Sequence, residues 1–194
     1  VGAGLLRWAV MAGRKFVFIT EKDNLFTDFI RDVMDIKSLD LVGMPFIMNS
    51  GCKIIDQRDG SVMARSLPPA QNKRIIASKT LPEGVNWVAT TYSQFNRKGS
   101  PKIDFLAEVA KGQHIHTDES HNATGETSNV GQALDQMNGI AASFSSSSAT
   151  FAKRATGLRF YRRLMPASIQ RMDDFTTVLQ KGGIPILEAL TKAL

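Results

Sequence analysis

The chain has 194 residues, 24 Lys and Arg against 18 Asp and Glu, a formal net charge of +6, and 43% hydrophobic residues. Such a length suits one domain with at most a short appendage, and no apolar run approaches the roughly 18 residues of a membrane helix, so no membrane association is expected. The single cysteine, Cys52, excludes an internal disulfide framework or a multi-thiolate zinc site within one chain, and fits a small inert side chain in a reducing compartment.

Val1–Gly13 is apolar apart from Arg7. It lacks a basic region ahead of the apolar stretch, so it does not read as a signal peptide. The absence of an initiating Met points to a processed protein or an excised piece. Phe16–Thr20 (FVFIT) reads as a buried strand. From Asn24 to Ile36, Leu25, Phe26, Phe29, Ile30 and Val33 recur at helical spacing, with Asp28, Arg31, Asp32 and Asp35 largely opposite. Asp23 or Asn24 can cap this helix. Phe46–Met48 suits a short strand. Residues 49–81 are polar, basic and broken by Pro68–Pro69. They read as an insertion or an edge hairpin, with Ile54–Ile55 and Ile75–Ile76 as strand cores. Asn86–Thr91 is the next expected strand, Asn96–Pro101 a loop, and Ile103–Lys111 an amphipathic helix. Gln113–Thr117 should be a strand running straight into Asp118. A polar loop over His121–Asn129 leads to a helix over Val130–Asn138. A short buried strand over Ile140–Phe144 should then pass into a loop at Ser145–Ser148. The remainder reads as mainly helical, with breaks at Pro166 and Gly182–Gly183. Trp8 and Trp87 read as core aromatics.

Alternation of strand and helix predicts an α/β fold, a mainly parallel sheet flanked by helices, with a helical C-terminal extension. Ligands of such sheets sit at the carboxyl ends of strands. Adjacent acids at a strand end, Asp118–Glu119, have a specific use in nucleotide hydrolysis. The first carboxylate can hold Mg2+, often through water, and the second can orient and deprotonate the attacking water. Thr20, Thr90–Thr91–Tyr92 and Ser148–Ala149–Thr150 fall at other strand ends, where hydroxyls can read the phosphates of a nucleotide or a nucleic-acid backbone.

In that order, Thr20, Thr90–Thr91–Tyr92, Asp118–Glu119–Ser120–His121 and Ser148–Ala149–Thr150 resemble motifs Ia, Ib, II and III of superfamily 2 helicases. The longer strings FVFITEKDNLFTDFIRD, WVATTYSQF, DESHNATG and SSSSATFAKR are most similar to the strawberry notch helicase-like family, including its phage and bacterial members. The resemblance covers most of the chain and is weakest over residues 49–81. It implies a RecA-like lobe over 1–165, and a helical extension over 166–194 that leads toward a second lobe. By position it implies that Asp118 serves Mg2+, that Glu119 is the general base, and that His121 links the nucleotide site to the second lobe or to nucleic acid. Ser148, Ala149 and Thr150 would couple hydrolysis to movement. Thr20, Thr90, Thr91 and Tyr92 would lie near a nucleic-acid backbone. ATP and Mg2+ are the implied cofactors, and DNA or RNA the implied partner. The implied location is the cytoplasm of a bacterial or phage-infected cell, or a phage virion. Phage members are associated with protecting incoming DNA, a role the resemblance extends to this chain as an expectation.

One departure is plain. Nothing matches G-x-x-x-x-G-K-S/T, the loop whose amides and lysine hold phosphates. Val1–Ala12 instead resembles the helix that follows that loop in the family. The chain is expected to start after motif I and to end before a second lobe, and so to hydrolyse ATP negligibly by itself. Two other readings stand beside this one. His114, His116 and Asp118 form H-x-H-x-D, and on a strand the two histidines share a face, which permits a mononuclear metallohydrolase site. From Gln136 through Met172 there is no acid, while Arg159, Arg162 and Arg163 are spaced to share a helix face. That tract fits a non-catalytic nucleic-acid-binding or scaffolding module.

Overall fold

The computed structural model describes residues 1–56, 58–120 and 128–148, and positions 163, 165, 167, 177, 178, 181–183, 185 and 186. In chain order the elements are α1 (Gly2–Met11), β1 (Phe16–Thr20), α2 (Leu25–Asp35), α3 (Leu39–Val42), β2 (Phe46–Ile47), β3 (Lys53–Ile55), β4 (Val62–Arg65), α4 (Pro69–Ser78), β5 (Trp87–Thr91), α5 (Pro101–Ala110), β6 (His114–Asp118), α6 (Asn129–Ile140) and β7 (Ser143–Ser147). A short 3-10 helix, Tyr92–Phe95, follows β5. Among the described residues, no helix is long and apolar enough to cross a membrane.

A strand that is apolar at nearly every position needs cover on both faces. β1 and β5 are buried throughout and lie inside a five-stranded parallel sheet of order β2-β5-β1-β6-β7. Side chains alternate between two cores. Val17, Ile19 and Val88 face α4, α5 and α6 through Ile76, Phe105, Leu106, Leu134 and Met137. Phe16, Phe18, Trp87 and Ala89 face α1, α2 and α3 through Leu6, Ala9, Phe26, Ile30 and Val42. The steps β2 to β5, β5 to β6 and β6 to β7 run one way along the sheet, with helices on the first face. The return from β1 to β2 places its helices on the second face. This is the division that right-handed crossovers impose.

α2 forms where the apolar spacing predicts it. Asn24 stands at its N-cap position, but with helical backbone and no side-chain bond, so neither Asn24 nor Asp23 caps it in the expected manner. Its end is a Schellman turn: Ser38 N donates to Val33 O at 3.0 Å and Lys37 N to Met34 O at 2.8 Å. Residues 49–81 divide in two. β3 forms at the expected Ile54–Ile55, but its antiparallel partner is β4, which sequence reasoning misses. The two make a separate two-stranded sheet rather than an edge of the main one, tied to α2 by the Arg31–Asp56 ion pair at 3.1 Å. Ile75 and Ile76 are not strand cores. They lie in α4, which starts with Pro69 at its first turn, where a missing N–H costs nothing. The proline pair reads as a break in the sequence and acts as a helix start. Trp87 is in the core, whereas Trp8 is half exposed at 50%.

The end of α6 also departs from expectation. Ile140 closes the helix rather than opening a strand, and Ser145–Ser147 belong to β7 itself. α6 has no basic residue in its last turn, so its terminal carbonyls need a donor. Arg163 supplies one. Its Nη1 donates to Asn138 O, and its Nη2 to Ala141 O at 2.8 Å and Ala142 O at 3.3 Å. Arg163→Ala should lower stability by about 1 kcal/mol, read from the urea midpoint. An unchanged midpoint would show that the guanidinium does not hold that helix end. The described positions from 167 to 186 are helical, as the sequence predicts for this stretch. Gly182 and Gly183, where the sequence predicts a break, are helical too, with Gly183 at a φ of 56°.

Candidate functional site

β6 lies between β1 and β7, so both of its edges are paired. Its side chains alternate, with Ile115 and Thr117 on one face and His114, His116 and Asp118 on the other. β7 runs parallel in register, setting Ser143 beside His114, Ser145 beside His116 and Ser147 beside Asp118. The polar groups meet in this arrangement. Ser143 Oγ lies 2.7 Å from His114 Nδ1, and Ser145 Oγ lies 2.8 Å from both His114 Nε2 and His116 Nδ1. Ser147 Oγ donates to Asp118 Oδ1 at 2.6 Å and lies 3.4 Å from His116 Nε2. On the opposite face, Thr117 donates to Ser146 at 3.1 Å, and Ser146 to Ser120 at 2.7 Å. The serine run is therefore the complement of β6, not a passage into a loop.

The imidazoles are enclosed as well as bonded. The His114 ring stacks on Phe16 at 5.1 Å and the His116 ring on Phe18 at 6.0 Å. Both are almost inaccessible to solvent. Burial pushes His114 and His116 down to about 4; Arg14 lowers His114 further, while Asp118 opposes the shift at His116. The first turn of α1 closes over them: a Cβ added to Gly2 would lie 3.0 Å from His116 Nε2. The start of a helix, whose amides are unpaired and electropositive, thus lies beside β6 two residues before Asp118.

Asp118 ends the strand, and Tyr92 fastens it by donating its hydroxyl to Asp118 O at 2.8 Å. Glu119 follows with φ of 51°. A non-glycine residue in the left-handed region is strained by about 1–2 kcal/mol, and such strain collects where a side chain must be aimed. The donor set suits a hard cation. One carboxylate, water and phosphate oxygens are the usual company of Mg2+. It suits zinc poorly. Both ring nitrogens of His114 and Nδ1 of His116 face serine hydroxyls. Among the described residues, no three His, Cys, Asp or Glu side chains converge on one point.

The other expected residues are placed as follows. Thr20, Thr90, Thr91 and Tyr92 stand at the carboxyl edge of the sheet, as the spacing implies. All four are buried, and the hydroxyls of Thr20 and Thr90 find no hydrogen-bond partner among the described residues. Thr91 Oγ1 accepts from Asn49 at 2.9 Å. Buried as they are, these hydroxyls do not face an open surface for a backbone phosphate. Ser148 directly follows β7. His121, Ala149, Thr150, Arg159 and Arg162 lie outside the described residues. Arg163 is engaged on the end of α6 and so is not arranged as part of a free basic face. Sequence reasoning misses Ser143, Ser145 and Ser147 and the Tyr92 hydroxyl. The signal for the serines is a pair of period-two patterns, H-x-H-x-D and S-x-S-x-S, whose partnership only the strand register reveals. No protein-family model matches the chain, and no curated protein matches it.

Proposed function

We propose that this chain is the first RecA-like lobe of a superfamily 2 helicase-type ATPase, of the strawberry notch helicase-like kind, acting with ATP and Mg2+ on DNA or RNA. One observation carries the reading: Asp118 ends an interior parallel strand whose His116 lies beside the first turn of α1, and Glu119 follows it with a strained backbone. Bound Mg2+ would neutralise phosphate charge. Asp118 would hold that cation, directly or through water. Glu119 would orient an attacking water and take its proton. Tyr92 would keep the strand end from shifting between these steps. The reading requires a phosphate-binding loop ahead of α1 and an opposing second lobe. Right-handedness suits the first requirement. α1 shares a face with α2, where connections run toward β2, so a strand leading into α1 would lie on the β7 side. Its loop would then meet the start of α1 close to Asp118. A nucleic-acid motor of this kind would work in the cytoplasm of a bacterial or phage-infected cell, or travel in a virion.

The test uses the protein that joins this chain to that loop and second lobe. Glu119→Gln should cut nucleic-acid-stimulated ATP turnover by about 100-fold or more and leave Mg2+-dependent nucleotide binding nearly intact. Turnover unaffected by the substitution would overturn the reading.

A further inference from the structure

The contacts between β6 and β7 form one continuous chain, and its polarity can be worked out from the carboxylate end. An aspartate carboxylate accepts and does not donate at neutral pH. Ser147, at 2.6 Å, therefore spends its one proton on Asp118 Oδ1. Toward His116 Nε2, at 3.4 Å, it has only acceptor capacity left. His116 must then carry its proton on Nε2. The ring is buried against Phe18, which disfavours its charged form, so Nδ1 is an acceptor. Ser145 touches His116 Nδ1 and His114 Nε2, each at 2.8 Å. Having one proton, it donates to His116 and accepts from His114. His114 Nδ1 in turn accepts from Ser143 at 2.7 Å.

We infer that Ser143, His114, Ser145, His116 and Ser147 form a hydrogen-bond chain in which every proton points toward Asp118, with both histidines fixed as Nε2–H tautomers and with Ser147 and His116 as positioning residues for the Asp118 carboxylate. The aligned dipoles stabilise its charge, and the Ser147 bond fixes its rotamer and leaves the second oxygen for a cation. Groups that orient a metal's carboxylate govern affinity by about 10–100-fold on removal. The tautomers follow from the geometry of the strands alone. The consequence for a cation rests on the reading of Asp118 as the Mg2+ carboxylate.

Two measurements separate the parts. In 15N-labelled full chain at pH 7, long-range 1H–15N spectra should show pyrrole-like Nε2 and pyridine-like Nδ1 for both His114 and His116. An Nδ1–H tautomer at either ring would overturn the chain. In the nucleotide-binding protein, Ser147→Ala should raise the Mg2+ concentration needed for nucleotide binding about tenfold. Ser147→Thr, which keeps the hydroxyl, should restore it. An unchanged Mg2+ requirement in Ser147→Ala would overturn the positioning role. If the unsubstituted protein shows no Mg2+-dependent nucleotide binding, the ATPase reading fails and the positioning role fails with it. The polarity of the chain is then decided by the ring shifts alone.

Discussion

Between pH 7 and pH 4 the protein is expected to lose about 3 kcal/mol of stability through His116 alone, because burial holds that imidazole at about 4 against 6.5 in the open chain. A base whose folded value lies below its unfolded one stays neutral longer in the native state. As pH falls through 6.5 the unfolded chain takes up the proton first, and the native state is penalised. The contribution is whole above 6.5, shrinks down to about 4, and is constant below. His114 adds to the loss in the same window, since burial and the nearby Arg14 lower it in the same direction. Its share is of similar size, because it is buried to the same extent and lowered to about 4 as well. The Asp118 carboxylate favours a charged His116, while His114 opposes it. The native carboxylates with clear shifts act elsewhere on the scale. Hydrogen bonds and ion pairing with Arg58 hold Asp56 far below the usual carboxylate range, and the Ser61 bonds lower Asp59. Their contributions fade only in stronger acid. Urea unfolding at pH 7, 6, 5 and 4 would give the curve. His116→Leu, in which nothing titrates, should flatten it by the His116 share. A wild-type midpoint constant from pH 7 to pH 5 would contradict the burial argument.

The same two strands show what a sequence can and cannot make legible. FVFIT and WVATT announce themselves as buried strands because every position is apolar or hydroxyl-bearing, and both form as expected. The acid pair is legible too, since two carboxylates directly after a strand are rare company. Ile75–Ile76 misleads because two adjacent β-branched residues carry the same local signal in a helix and in a strand. There the decisive fact is Pro69, six residues earlier. The serine run misleads for a different reason. Four serines in a row resemble a loop until their partners are known, and those partners lie some thirty residues away on another strand. A cross-strand ladder is a long-range property, set by register, and no local window contains it. The tie from Tyr92 to Asp118, across 26 positions, is hidden in the same way. The cap at Arg163 is hidden because one arginine in a basic tract resembles every other until an unsatisfied helix end claims it.

The ladder also raises the question of why a core should be built of histidine and serine at all, and a pair of substitutions answers it. Ser145→Ala removes the one hydroxyl that serves two buried ring nitrogens. Each orphaned polar atom costs about 1–3 kcal/mol, so the substitution should destabilise the fold by about 2–4 kcal/mol, far beyond an ordinary surface Ser→Ala. Replacing both rings and the hydroxyl between them, His114→Leu and His116→Leu together with Ser145→Ala, leaves only the part-buried Ser143 hydroxyl without its ring partner. Leucine is close to histidine in volume and would pack against Phe16, Phe18 and Phe29. Most of the loss should be recovered, because exchanging both partners of a buried polar contact for apolar groups is close to neutral. The residues touch one another, so the single and combined effects should be strongly non-additive, and chemical denaturation of the single and triple variants measures this directly. A Ser145→Ala cost below about 0.5 kcal/mol would mean that the ring nitrogens have other partners. If instead the triple variant is as stable as the wild type, stability is not what requires the ladder. What remains for it to serve is the carboxylate at its end: Ser147 donates to Asp118, and His116 stands behind Ser147 in the same chain, a backing that leucine cannot give.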